Sequence, residues 1–218
     1  MLFAKPTQHG AGIILYGDYY DLKSLHATVS YLYDGIPNDC GVGDFLSALA
    51  YDIRHAYQMN REIIKLGFDQ SDTVEYRGVK IFWPIILFQI ALLRWYTRFK
   101  PTTKEHLSDL FRLEYIVEES LSEVDLEVGR QCINWLNSFP GITNNYLFSF
   151  ADEMAYKYVF QETSQKKRFK KLPEILNGLL EHSKDYKTFN DFMQSKAKEK
   201  GCSVFELTSL TDWPEFKW

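Results

Sequence analysis

Cysteine is scarce in this chain, and what there is stands alone. Cys40, Cys132 and Cys202 are odd in number and far apart. They build no disulfide framework, and no Cys-x-x-Cys pair offers a zinc site. Long apolar runs are missing as well. The most apolar stretch, residues 81–93, lies between Lys80 and Arg94; it is too short to span a bilayer and suits a buried helix. Residues 1–6 lack the basic start and apolar core of a secretory signal. Neither sign of charge dominates: residues 1–150 carry 13 Lys/Arg against 18 Asp/Glu, and residues 151–218 carry 12 against 11. That balance argues against a protein built throughout for nucleic acid or for a membrane surface. The expectation is a soluble, cytoplasmic protein that uses no membrane.

Catalytic signatures are equally absent. There is no Gly-x-Ser-x-Gly elbow, no His-Glu-x-x-His helix and no kinase set. Gly41-Val42-Gly43-Asp44 is the one glycine-rich turn before a helix. It lacks the Lys-Ser/Thr of a phosphate loop and the spacing of a dinucleotide fingerprint. No cofactor and no metal is expected.

Apolar and aromatic residues are abundant, at 45% and 16% of the chain. That is enough for a sizeable core, and the sequence predicts one domain over residues 1–218, with a sheet-containing part at 1–100 and a helical part at 101–218. The 3–4 segment and residues 13–16 flank a loop with Pro6, Gly10 and Gly12, as in an irregular hairpin. A second hairpin is expected within residues 73–82, turning at Arg77-Gly78. Together these give an antiparallel sheet of about four strands. Helices are expected over 44–66, closed by Gly67, and from Pro84 toward Phe99. Others are expected over 107–121, over 128–136, up to Phe160, over 173–182 with Pro173 opening it, and over 186–200 with Gly201 after. The expected starts are Asp21, a Thr102-x-x-Glu105 box, a looser Ser122-x-x-Asp125 cap and Ser203-x-x-Glu206. The fold class is α+β, with roughly eight helices around the small sheet and an all-helical C-terminal half.

Four stretches carry a resemblance: residues 12–29 (GIILYGDYYDLKSLHATV), 48–58 (ALAYDIRHAYQ), 80–94 (KIFWPIILFQIALLR) and 211–218 (TDWPEFKW). Together they resemble a family of uncharacterised bacterial proteins of about this length, over nearly the whole chain. The resemblance implies a bacterial, cytoplasmic, single unit; it brings no activity and no catalytic residues.

Several residues deserve a functional reading beside the ordinary one. Asp18 and Asp21, in the turn from strand to helix, suit a cation, whereas the helix N-terminus there suits an anion; the plainer role is a cap. His26 borders the apolar face set by Leu22, Leu25, Val29 and Leu32, and would be a general base if it met those aspartates. Glu114 falls on the edge of the stripe Leu110, Leu113, Val117 and Leu121, with Glu118 one turn on, as in helical-bundle metal sites. The nearest Asp-x-x-His element, Asp52 to His55, points away from its helix's apolar face, so Glu114 is expected to meet Arg94 or Arg98 instead. Asn60 and Gln89 are expected as buried amides, and Gly129 as a point of close helix approach.

Lys166, Lys167, Arg168, Lys170 and Lys171 surround Phe169 in the densest run of charge. They suit an anionic partner, or simply a solvated connector. Trp213, Phe216 and Trp218 end the chain; they dock on its own core or anchor a partner. Three functions follow, in order: a protein that binds a protein partner or itself, an enzyme with its site at Asp18, Asp21 and His26, and a nucleic-acid-associated factor using residues 166–171.

Overall fold

A computed structural model of the chain describes residues 1–36, 41–67, 73–141, 146–162, 164–207 and 213–218. These residues form four strands and eight α-helices. The strands are β1 (Phe3–Pro6), β2 (Gly12–Gly17), β3 (Glu62–Leu66) and β4 (Val74–Phe82). They pair antiparallel in the order β1-β2-β4-β3. Ile13, Leu15, Val79 and Ile81 point to one face and are buried. The opposite face carries Phe3, Tyr16, Tyr76 and Phe82, with Phe3 ringed by Tyr16 and Tyr76 at 5.1 Å each. Side-chain alternation in a pleated strand separates the two sets.

The sheet is the expected size, but its second half is built differently. Residues 73–82 are one strand, not a hairpin, and Arg77-Gly78 runs straight through it. Gly78 pairs with Tyr16, and a Cβ there would lie 2.5 Å from the tyrosine ring. The glycine makes room for an aromatic ring across the sheet; it does not make a turn. The partner strand comes from residues expected to be helical. Helix α2 (Val42–Tyr57) stops well short of Gly67, because Met59 takes a left-handed φ of 67°. The Asn60 amide then donates to the His55 carbonyl at 2.9 Å and the Met59 amide to Ala56 at 3.0 Å. This is a Schellman closure with methionine where glycine is usual. Asn60 is consequently exposed in the turn and not a buried amide.

Other helix starts differ by a few residues. Helix α1 (Tyr19–Tyr33) is capped by Asp18, whose carboxylate accepts from the amides of Tyr20 and Asp21; Asp21 itself lies in the first turn. Helix α3 (Trp83–Tyr96) is buried almost all round, and Gln89 Nε2 donates to the Phe45 carbonyl at 3.1 Å. Helix α4 (Lys104–Val124) uses a Thr103–His106 box in place of Thr102–Glu105. Helix α5 (Leu126–Asn137) is capped by Asp125. Gly129 sits so near the end of α4 that a Cβ would be 3.3 Å from Leu121 Cβ, the close approach expected there.

Helices α6 (Leu147–Phe160), α7 (Gln165–Gly178) and α8 (Lys184–Lys200) follow, then a 3₁₀ turn at Val204–Glu206 with its Ser203–Glu206 box. Pro173 lies inside α7 and does not open it. The apolar face Phe169, Leu172, Ile175 and Leu176 continues through the proline and holds both sides of it against α5 and α6. One apolar cluster extends from Leu2 to Leu207 and draws on both the sheet-containing and the helical parts. Thr143 and Cys40 lie outside the described residues.

Candidate functional site

Asp18, Asp21 and His26 share a helix but not a site. Both carboxylates turn to the Met1 ammonium, Asp18 at 2.9 Å. Burial opposes ionisation of Asp18, but the Asp21 amide and the ammonium outweigh it and hold the carboxyl down to about 2. His26 faces α2, where its ring meets Tyr57 edge-on at 5.7 Å. Burial and then Arg54 lower its pKa. Burial first, and the Arg54 cation second, thus favour the neutral imidazole of His26.

The basic run forms the first two turns of α7. Its members divide by helical phase: Lys166, Lys167 and Lys170 are exposed, Lys171 pairs with Glu174 at 2.8 Å, and Arg168 is buried with Phe169. Arg168 Nη1 donates to the His9 carbonyl at 2.8 Å and Nη2 to the Glu162 carbonyl at 3.1 Å. The His9 amide in turn donates to the Trp218 carbonyl at 2.9 Å. The terminal aromatics lie on the chain's own surface. Trp213 and Trp218 stack on Phe82 at 4.9 and 4.5 Å, Phe216 joins them, and Trp213 Nε1 reaches Asp152 at 3.2 Å.

A further arrangement of polar and aromatic groups lies where α3, α4 and α5 meet. A cleft of about 250 Å³ there is lined by Ala91, Arg94, Arg98, Leu107, Phe111, Glu114 and Asn137, among others. Arg94 Nε lies 3.3 Å from Glu114 Oε1, and its Nη1 donates to Asn137 Oδ1 at 2.8 Å. The expected Glu114 pairing is therefore present. Burial raises the Glu114 pKa, Arg94 opposes the rise and Glu118 adds to it. Arg98 stacks 4.6 Å over the Trp95 ring. Phe111, 60% exposed, lines the cleft; Phe99, 68% exposed, meets its Trp95 at 5.7 Å, and Tyr115, 56% exposed, stands one turn after Phe111 on α4.

This surface is held rigidly from behind. Lys100 Nζ donates to the carbonyls of Tyr31 and Asp34, and Tyr31 stacks on His106 at 4.3 Å. Asp109 accepts from Ser24 Oγ at 2.9 Å and Thr28 Oγ1 at 2.6 Å, fastening α4 to α1. A family model described as a domain of unknown function, DUF6904, matches residues 2–218. The chain belongs to that family. No curated protein and no solved structure matches it.

For this DUF6904 chain the sequence pointed to Glu114 on the α3–α4 surface, with Arg94 or Arg98 as its partner, and missed the aromatic residues. A signal was present: Phe111 and Tyr115 sit four apart on the side of α4 opposite its apolar stripe, where solvent-facing residues are ordinarily polar. Among the described residues no cluster of His, Cys, Asp and Glu is arranged to hold a metal ion. Also among them, no helix is long and apolar enough to cross a membrane.

Proposed function

We propose that this DUF6904 protein acts in the cytoplasm by binding a protein partner, through the aromatic and arginine surface at the α3–α4 end. The observation that carries the reading is the combination of Phe99, Phe111 and Tyr115, each more than half exposed, with Arg98 stacked on Trp95 at the mouth of a cleft. Aromatic residues and arginine dominate the energetics of protein interfaces. A rigid backing supports the same reading, because ordering the contact residues in advance lowers the cost of association. The terminal aromatics are weaker anchors in this conformation, since Phe82 and Phe160 already occupy their rings. The binding reading is favoured over the catalytic alternative because His26 meets Tyr57 while Asp18 and Asp21 turn to Met1.

The test compares the wild-type chain with Phe99→Ser/Phe111→Ser, both crosslinked in the native host. Exposed positions allow the double variant to fold, which circular dichroism checks. A defined crosslinked species that the wild type forms and the folded variant loses supports the reading. Crosslinks unchanged in the variant, or lost only when Trp213 and Trp218 are replaced, overturn it.

A further inference from the structure

The outer side of α4 is charged in a directional way. Lys104 stands at its beginning, Phe111 and Tyr115 at its middle, and Glu118 and Glu119 near its end, all of them exposed. At about 100° per residue these positions fall within one third of the helix circumference, opposite the buried Leu113 and Val117. Arg98 shares the cleft with Phe111 and so adds a second cation at the N-terminal half. No basic residue occupies the last turn of α4, so its acidic end meets the negative end of the helix dipole uncompensated. Exposed Glu105 and Arg112 flank this face; the face itself, with cations at one end, aromatics in the centre and carboxylates at the other, complements its own two-fold image.

We infer that the partner on this surface is a second copy of the chain, with the two α4 helices packed antiparallel about a two-fold axis that passes between Phe111 and Tyr115 on the outer face. The inference rests on the α3–α4 surface being the interaction site. In this arrangement Phe111 of one copy lies against Tyr115 of the other. Arg98 and Lys104 of each meet Glu118 and Glu119 of its mate. An isologous contact of this kind closes on itself, so it yields dimers and not fibres. Helix α4 has 21 residues and is roughly 32 Å long, enough for a continuous seam. The three exposed aromatics offer on the order of 350 Å² of apolar surface per copy. That is a little under half of what a standard interface buries on each side, with the charged ends and the α3–α4 turn supplying the remainder. Such a contact favours a reversible dimer.

Sedimentation velocity of the full chain over a concentration series is the first measurement. The expected result is a mass that rises from the 25.6 kDa monomer toward twice that value. Arg98→Glu and Glu118→Arg/Glu119→Arg are each expected to weaken self-association at least tenfold, since each sets like charges against one another across the seam. Mixing the two variants should restore association in part, because the reversed charges then meet their opposites while Lys104 of one copy still faces arginine. All three positions are exposed, so folding is retained, and thermal melts verify it. A chain that stays monomeric, or a dimer indifferent to these variants and their mixture, overturns the inference. If the chain is monomeric yet Phe99→Ser/Phe111→Ser still loses a different crosslinked protein, the interaction surface stands and only its occupant is wrong. If neither measurement responds, both fail.

Discussion

Replacing Arg168 by methionine tests what the basic run is for. The guanidinium is buried, and it supplies donors to two backbone carbonyls, those of His9 and Glu162. Methionine keeps much of the volume and removes every donor. A hydrogen bond from a charged group contributes about 1.5–3 kcal/mol, and the two carbonyls, of the exposed His9 and the half-buried Glu162, are partly reached by water once the guanidinium is gone. The loss is therefore at the lower end, about 3 kcal/mol for the pair, which for a chain of this size lowers the melting temperature by on the order of 10 °C. The damage should also reach the terminal aromatics, since the His9 amide holds the Trp218 carbonyl.

Thermal unfolding followed by tryptophan fluorescence reads both effects at once. The control is Lys166→Gln/Lys167→Gln/Lys170→Gln, which takes three exposed cations off the positive end of α7 and should leave stability unchanged or slightly higher. If Arg168→Met melts with the wild type, the arginine is not the clasp described above. If the lysine variant is the unstable one, the division of the run by helical phase is wrong.

Three further outcomes follow from the fold. Met59→Gly should stabilise by about 1 kcal/mol in urea denaturation, because glycine adopts the left-handed conformation without the Cβ penalty; a destabilised variant would mean that Met59 packing outweighs its strain. Gly78→Ala should cost about 1–3 kcal/mol through collision with the Tyr16 ring, and a double-mutant cycle with Tyr16→Ala should recover part of it; strict additivity would show that the ring is not the obstacle. Glu114→Gln should remove a pH-dependent term from folding stability. The folded state raises this carboxyl's pKa through burial, so it holds its proton longer than the unfolded chain. Stability linked to Glu114 therefore falls as pH rises through and just above the ordinary carboxylate range. Denaturation of both proteins from acid to neutral pH should show that fall in the wild type alone; parallel profiles would refute it.

What the sequence discloses, and what it hides, can be traced to individual residues. The buried helix behind Pro84, the buried Gln89, the close approach at Gly129 and the pairing of Glu114 with Arg94 follow from periodicity, and the structure has all four. The end of α2 was hidden because its stop is carried by a methionine, and nothing in that residue type signals a left-handed backbone. Periodicity alone therefore runs the helix on to the next glycine, across the residues of β3. Gly78 misled in the opposite sense. It has the look of a turn, yet its role depends on a tyrosine sixty-two residues away. The α3–α4 surface stayed out of view for a similar reason, since Arg98 and Phe111 share one cleft only in the folded chain, where Lys100 and Asp109 fasten the segment between them to α1.

Two helices in this protein oppose their own dipoles, and they resolve the conflict in different ways. Helix α7 places cations at its positive end, and the structure accounts for one of them: Arg168 is turned inward to hold the His9 loop and, through it, the end of the chain. Helix α4 places Glu118, Glu119 and Glu123 toward its negative end, with no basic residue in the last turn and Asp125 immediately after. Sequences that fold well usually agree with themselves at every level, and a local rule broken without an internal gain tends to mark a place where something else is bound. By that reasoning the charge on α7 is explained from within the molecule, whereas that on α4 is relieved from outside it, by cations such as those a second copy presents. The prediction that separates the two is the response to salt. Screening should weaken association through α4 steeply, while the stability that depends on the sheltered Arg168 bonds should change little.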